Sequence, residues 1–257
     1  MKKIVVSLTL LAAIHAQAAT CNQPIYLTFD TGNMDVAEYV AGVLRKHEVK
    51  ATFFLANEKT KRGDYSLDDS WSSYWQALKK DGHAFGSHTY FHTYLVKDSD
   101  SSSVVVKSQF GPNANQVRKL SQDGLCADLN LVKQRFSQLT GATLDPIWRA
   151  PGGKVSALYI QMGQACGYRH VAWSKSGFLG DELSSEKFSN QQLLKKALAE
   201  LKPGDIAMAH LGIWSRKDPW APAVLEPLIL GLKKKGYCFD TILGLQQHPE
   251  ISRIMKP

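Results

Sequence analysis

The sequence predicts a single α/β domain built as a closed or slightly open (β/α) barrel, and three observations carry that expectation. Short apolar runs alternate with amphipathic helical stretches over almost the whole chain, the pattern of a parallel sheet wrapped by helices. Several helical stretches stop at a glycine, in Asp81-Gly82, Thr140-Gly141, Cys166-Gly167, Pro203-Gly204 and Lys235-Gly236. Polar residues close successive strand runs: Asp30, Arg149, Trp173 and His210 end the first, fourth, fifth and sixth, and His88 follows the third. In a parallel barrel such positions converge on one face, where active sites are built.

In chain order the expected strands are 25–30, 51–56, 83–87, 146–150, 169–173, 205–210 and 237–242. Helical patterns lie near 35–47, 70–80, 124–140, 155–166, 190–201 and 221–235. Seven such strands suit a barrel better than a sandwich. Asp35 stands where it can cap the first helix. Trp71 and Trp75 share one helix face, a core pattern. Two segments break the rhythm. Residues 57–69 are polar and charged, and residues 93–123 carry the serine tract from Ser99 to Ser103 and Gly111-Pro112-Asn113. Both follow strands on the side where the histidines emerge, so they are expected either to build substrate walls or to be disordered decoration.

The 257 residues suffice for one large domain. Met1-Lys2-Lys3, an apolar run from Ile4 to Ile14 and Ala16-Gln17-Ala18 read as a secretory leader over residues 1–18, leaving a single domain over 19–257 with its core at 24–245. The expected location is periplasmic or secreted. Thr20 before Cys21 argues against a lipid anchor, and no later stretch is apolar enough to span a bilayer. Formal charge is +8, about +6 without Lys2 and Lys3, and suits an anionic partner such as a cell-wall polymer. The lysines are dispersed at helix ends, which points away from nucleic acid. Four cysteines in an oxidising compartment read as two disulfides, for which three pairings exist. Cys21 lies just before the first strand and Cys238 inside the last, which favours Cys21–Cys238 and, by elimination, Cys126–Cys166.

The chemistry centres on Ser87-His88-Thr89-Tyr90-Phe91-His92. Four-residue spacing puts both imidazoles on one face of a helical turn, in reach of a single metal ion. His47 and His248 read as solvated, and His83 and His170 as packing or hydrogen-bonding residues. Trp214 and Trp220 flank a basic loop just after His210, where an aromatic face can stack on a sugar.

Five short motifs in this order resemble those of the polysaccharide deacetylases of carbohydrate esterase family 4, the NodB-homology group, over residues 24–245. The resemblance implies an irregular (β/α)7 barrel of NodB-homology type. Thr28-Phe29-Asp30-Thr31-Gly32 is similar to the first motif, whose first aspartate is the catalytic base. His88 and His92 fall on the metal-binding histidines of the second, and Arg149-Ala150-Pro151-Gly152-Gly153 on the third, whose arginine orients the base. Trp173 and Asp181 stand where the fourth supplies a pocket wall and a supporting acid. Ala209-His210-Leu211 resembles the fifth, giving a catalytic acid and an apolar wall. Implied substrate contacts are Trp173, Asp181, Leu211, Trp214 and Tyr90.

The resemblance further implies one divalent ion, zinc foremost with cobalt, nickel or manganese as alternatives, a glycan substrate and a monomer. The expected reaction is metal-dependent hydrolysis of acetyl groups from peptidoglycan or a chitin-like glycan. An O-acetyl esterase, a small-amide hydrolase or a non-catalytic glycan-binding relative is the alternative. One departure stands out: Thr31 occupies the position of the family's second aspartate, the usual third metal ligand. Asp30, a water held by Thr31, or another carboxylate is left to complete the site.

Overall fold

The computed structural model describes residues 21–247; the expected leader and His248 lie outside them. The strands are β1 (Pro24–Asp30), β2 (Thr52–Leu55), β3 (Ala84–Ser87), β4 (Thr93–Asp100), β5 (Ser103–Ser108), β6 (Val117–Ser121), β7 (Ile147–Trp148), β8 (Arg169–His170), β9 (Ile206–His210) and β10 (Cys238–Phe239). The helices are α1 (Ala37–Lys46), α2 (Ser72–Lys80), α3 (Gln122–Thr140), α4 (Ala157–Ala165), α5 (Asn190–Glu200) and α6 (Trp220–Lys234). All the expected strands and helices are there, although β7, β8 and β10 keep only two residues each.

The central sheet is parallel and runs β10-β1-β2-β3-β7-β8, with β9 against the other side of β1. Every residue of β1 and β2 is buried, as expected for strands covered on both faces. Between β8 and β9 the strand ladder gives out and irregular chain bridges the gap. There the Ser174 amide donates to the Ile206 carbonyl (3.1 Å), the Met208 amide to the Gly177 carbonyl (2.8 Å) and the Leu179 amide to the Met208 carbonyl (3.3 Å). The barrel is irregular because strands 7, 8 and 10 are too short to carry a full ladder.

Helix boundaries follow local chemistry. α1 turns Ala37, Val40, Ala41 and Leu44 inward and ends on Arg45 and Lys46, cations that suit the negative end of its dipole. Ser121 caps α3 by accepting from the Gly124 amide, and Gly141, at φ 70°, ends it. α5 starts with a capping box between Ser189 and Gln192. Asp35 does not cap α1. Val36 holds that position, and the Asp35 amide donates to Asn33 Oδ1 (3.0 Å) in a turn that precedes the helix. Trp71 sits in a 3-10 turn before α2 and Trp75 within α2; both are buried. Trp220, at the start of α6, is buried too and packs into the main core. His47 is not free in solvent but lies 2.7 Å from Glu226.

The largest departure from the sequence reading is at residues 93–123, where β4, β5 and β6 form a three-stranded antiparallel sheet rather than an irregular loop. The serine tract is the hairpin turn: Asp100 Oδ1 accepts from the Ser102 amide. Leu95, Val104, Val106 and Leu120 are its buried apolar residues and join the main core. Both disulfides follow the favoured pairing. Cys21–Cys238 ties the chain ahead of β1 to β10, and Cys126–Cys166 ties α3 to the end of α4.

Candidate active site

Parallel register brings Asp30, at the end of β1, level with His210 at the end of β9. Arg149, just past β7, reaches across beneath them and is fully buried. Its Nη1 donates to Asp30 Oδ1 (2.9 Å) and to Thr28 Oγ1 (2.8 Å), and its Nε donates to the Val171 carbonyl (3.1 Å). The guanidinium lies 4.2 Å from the Phe54 ring centroid and 5.6 Å from that of Trp173. Gly153, at φ 64°, packs against Trp173; a Cβ there would come within 2.5 Å of the indole. Burial works to raise the Asp30 pKa, but the charge and hydrogen bond of Arg149, with the charge of His210, outweigh it and hold the carboxyl below its usual value.

His210 meets a different field. Asp181, after the irregular bridge, accepts from the His210 amide through Oδ2 (2.7 Å) and from its Nδ1 at 3.1–3.2 Å. Burial disfavours the imidazolium, yet the charge and hydrogen bond of Asp181, helped by Asp30 and Glu182, push its pKa up to about 10. One carboxylate therefore stays ionised and its neighbour stays protonated through neutral pH, the separation that acid–base work requires.

His88 and His92 are not on a helix. They flank a tight turn after β3, with ring centroids 5.0 Å apart. Thr89 (φ 58°) and His92 (φ 49°) take the left-handed conformation, costly for a β-branched threonine. Asp128 of α3 offsets that strain by accepting from the Phe91 amide (3.2 Å) and from Thr93 Oγ1 (2.8 Å). His88 Nδ1 donates to the Arg149 carbonyl (2.9 Å), and His92 Nδ1 donates to Gln109 Oε1 (2.7 Å). Both acceptors are carbonyl oxygens, so each ring carries a proton on Nδ1 and Nε2 is the atom left to act as a ligand. Burial pushes the His88 pKa down to about 4, so the ring is neutral, with Nε2 3.5 Å from Asp30 Oδ2.

Two residues escaped the sequence reading. Gln109 follows β5, so the antiparallel sheet delivers the amide that orients His92. Glu58 lies on the segment after β2 and is buried. Its Oε1 accepts from Thr31 Oγ1 (2.6 Å) and from the Gly32 amide (2.8 Å). Burial works to raise its pKa, but His92, Thr31, His88 and Gly32 together bring it below the usual glutamate value. Gly32 itself, at φ 63°, runs so close to Gly212 that a Cβ would lie 2.1 Å from the Gly212 carbonyl. A glutamate on a charged loop carries no sequence signal of its own; an unpaired Thr31 was the only hint.

The residues implied as substrate contacts fall into two groups. A cavity of about 320 Å³ opens beside His210, lined by Asp181, Trp214, Lys61 and Lys217 among others. Trp214 is 56% exposed there, with Lys61 Nζ 4.9 Å from its ring centroid. Leu211 is fully buried beneath. Tyr90 is drawn elsewhere: its hydroxyl accepts from Asn57 Nδ2 (3.0 Å), and its ring packs against the core.

A divalent ion would find soft-to-borderline nitrogen donors in His88 and His92 and hard oxygens in Asp30 and Glu58, a donor set suited to zinc and its neighbours. Among the described residues no three His, Cys, Asp or Glu side chains already close into a cage. Two imidazole Nε2 atoms beside two buried carboxylates nonetheless fit a cation better than any other group.

Comparison with known proteins points to a family. The family model described as polysaccharide deacetylase matches residues 17–171. A peptidoglycan-N-acetylglucosamine deacetylase of Bacillus cereus is 26% identical over 87% of this chain and 88% of its own length. A peptidoglycan-N-acetylmuramic acid deacetylase of Bacillus subtilis is 27% identical over 90% of this chain and 74% of its own. Among solved structures, a CE4 family pseudoenzyme from Bacillus anthracis superposes with a TM-score of 0.63 at 18% identity, covering 88% of this chain and 66% of that one. At that identity the likeness shows the fold, and the site must speak for the chemistry.

Proposed function

The chain belongs to the polysaccharide deacetylase family, and we propose that it is a metal-dependent, extracytoplasmic hydrolase that removes N-acetyl groups from a glycan of N-acetylhexosamines, peptidoglycan foremost and chitin-type oligomers next. The observation that carries this reading is the split between Asp30, held ionised by Arg149, and His210, held protonated by Asp181. A protein that only bound sugars would gain nothing from burying that opposition.

His88 and His92, with an adjoining carboxylate, would hold the ion. When bound it supplies Lewis acidity, polarising the acetyl carbonyl and acidifying water near neutral pH. Asp30 takes the proton from the attacking water as its oxygen bonds to the acetyl carbon. Arg149 keeps that carboxylate aligned and anionic until it does so. His210 delivers its proton to the departing nitrogen as the C–N bond breaks, releasing acetate and a free amine. Asp181 then stabilises neither product directly but fixes the imidazole through Nδ1, so that Nε2 carries the transferable proton. Exposed Trp214 offers a sugar-stacking face at the mouth of the cavity.

The relatives' peptidoglycan substrates, the basic surface and the two disulfides support an extracytoplasmic cell-wall substrate. Among the described residues no helix is long and apolar enough to cross a membrane. The test is acetate release over a panel of N-acetylated muropeptides, chitin oligomers and O-acetylated xylan, with chelated and metal-supplemented protein side by side. Stoichiometric acetate and free amine from an N-acetylated glycan, lost on chelation, is the expected result. Acetate from xylan alone would make it an O-acetyl esterase. Binding without acetate under any divalent ion would make it a glycan-binding relative, the reading favoured by Thr31.

A further inference from the structure

We propose that Glu58 is the third protein ligand of the divalent ion, replacing the aspartate that the first motif lacks, with Thr31 converted from a ligand position into the anchor of Glu58. The inference rests on the reading of His88 and His92 as metal ligands.

Thr31 directly follows Asp30 at the end of β1, so its side chain stands where a carboxylate would ordinarily enter the site. A threonine hydroxyl is a poor ligand for a divalent cation, but it is a good donor. It donates to Glu58 Oε1 at 2.6 Å, and the Gly32 amide donates to the same oxygen at 2.8 Å. Two donors on one oxygen bring a carboxylate borne by a different loop to the Thr31 position. The second oxygen, Oε2, makes no hydrogen bond among the described residues.

The surrounding backbone is built for this. The Glu58 amide donates to Ser66 Oγ (3.0 Å), the Ser66 amide returns a bond to the Glu58 carbonyl (2.8 Å), and Ser66 Oγ donates to the Ala56 carbonyl (2.6 Å). The segment 57–69 is thereby pinned against the end of β2 with Glu58 facing inward, 7% exposed. Among the described residues no lysine or arginine forms an ion pair with it; the ionisable groups that act on it are His92 and His88. The Nδ1 of each is turned to a carbonyl oxygen, so Nε2 is the ring atom left for a ligand role. A carboxylate buried beside two histidines, with no lysine or arginine on it, is costly unless a cation completes the group. Two imidazole nitrogens and one carboxylate oxygen form a three-ligand set with positions left for water and substrate.

The test is zinc affinity, measured by competition with a chromophoric chelator on the folded full-length protein, alongside the visible spectrum of the cobalt form. Wild type should bind one equivalent. Glu58→Gln keeps the shape and can still accept from Thr31 and Gly32, so it should fold normally. It should lose zinc affinity about 100-fold or more, beyond the roughly 10–100-fold typical of residues that merely support a ligand. The cobalt spectrum should change with it. Thr31→Asp placed on Glu58→Gln should recover affinity, because it restores a carboxylate to the same point. Glu58→Gln with unchanged zinc affinity and cobalt spectrum, while His88→Ala abolishes binding, overturns the role of Glu58 and leaves the histidine site standing. Asp30→Asn emptying the site with Glu58→Gln unaffected gives the third place to Asp30 instead. No zinc or cobalt bound by wild type overturns both this assignment and the metal reading beneath it.

Discussion

Asp30 and His210 sit side by side in register, and opposite neighbours tune them. The His210 pKa is raised in the folded protein to about 10, above the ordinary imidazole value near 6.5. The stability it contributes is therefore full below about pH 6.5 and is lost as pH rises through about 10. If His210 is the acid, kcat/KM should fall on the alkaline side as it deprotonates. Asp181→Asn should move that limb down by a pH unit or more, since the largest charge holding the proton is gone. A limb that stays in place in Asp181→Asn would separate Asp181 from the acid. Asp30 has the opposite sign: its depressed pKa stabilises the fold above the usual aspartate value and is lost as pH falls through it. Arg149→Met strips the guanidinium from a buried carboxylate. It should cost about 3–5 kcal/mol in thermal or denaturant unfolding and shift the acidic limb of the rate profile upward.

At the level of elements, legibility followed the strength of local pattern. β1, β3 and β9 were readable because apolar runs end in polar residues, and their parallel register alone assembles Asp30, His88 and His210. The four-residue spacing of His88 and His92 predicts a helical turn, and the pair does meet, but through a strained turn held by Asp128 that no periodicity announces. The strands in residues 93–121 were hidden because few inward positions are apolar: β4 buries Leu95 but exposes Val96, and β6 buries only Leu120. Glu58 was invisible because only folding brings it against Thr31. Since the antiparallel sheet supplies Gln109 to His92, Gln109→Leu removes the Nδ1 acceptor while leaving the core intact. Its zinc affinity should drop about 10–100-fold with little change in melting temperature. An unchanged affinity would reduce that sheet to a packing element.

Across the whole molecule, the barrel is closed by irregular chain rather than by a continuous ladder, and cross-links tie the weakly paired ends. Cys21–Cys238 binds β10, which has just two residues on β1. Cys126–Cys166 spans 40 residues, for which loop-closure entropy allows a contribution of about 4 kcal/mol. Replacing both with serine should lower the melting temperature while leaving kcat at moderate temperature close to wild type, because neither sulfur lies in the site. A loss of turnover in the folded double variant would mean that α3, through Asp128, depends on this link to hold the histidine turn.

The central claim is that Asp30 and His210 perform the two proton transfers of a hydrolytic deacetylation. It is tested most directly by acetate release from the best N-acetylated glycan, comparing wild type, Asp30→Asn and His210→Ala at matched, measured zinc content. Both variants are predicted to retain their fold and to lose turnover by about 100-fold or more, with His210→Ala still loaded with metal. Turnover within a few-fold of wild type in either metal-loaded variant would contradict the account.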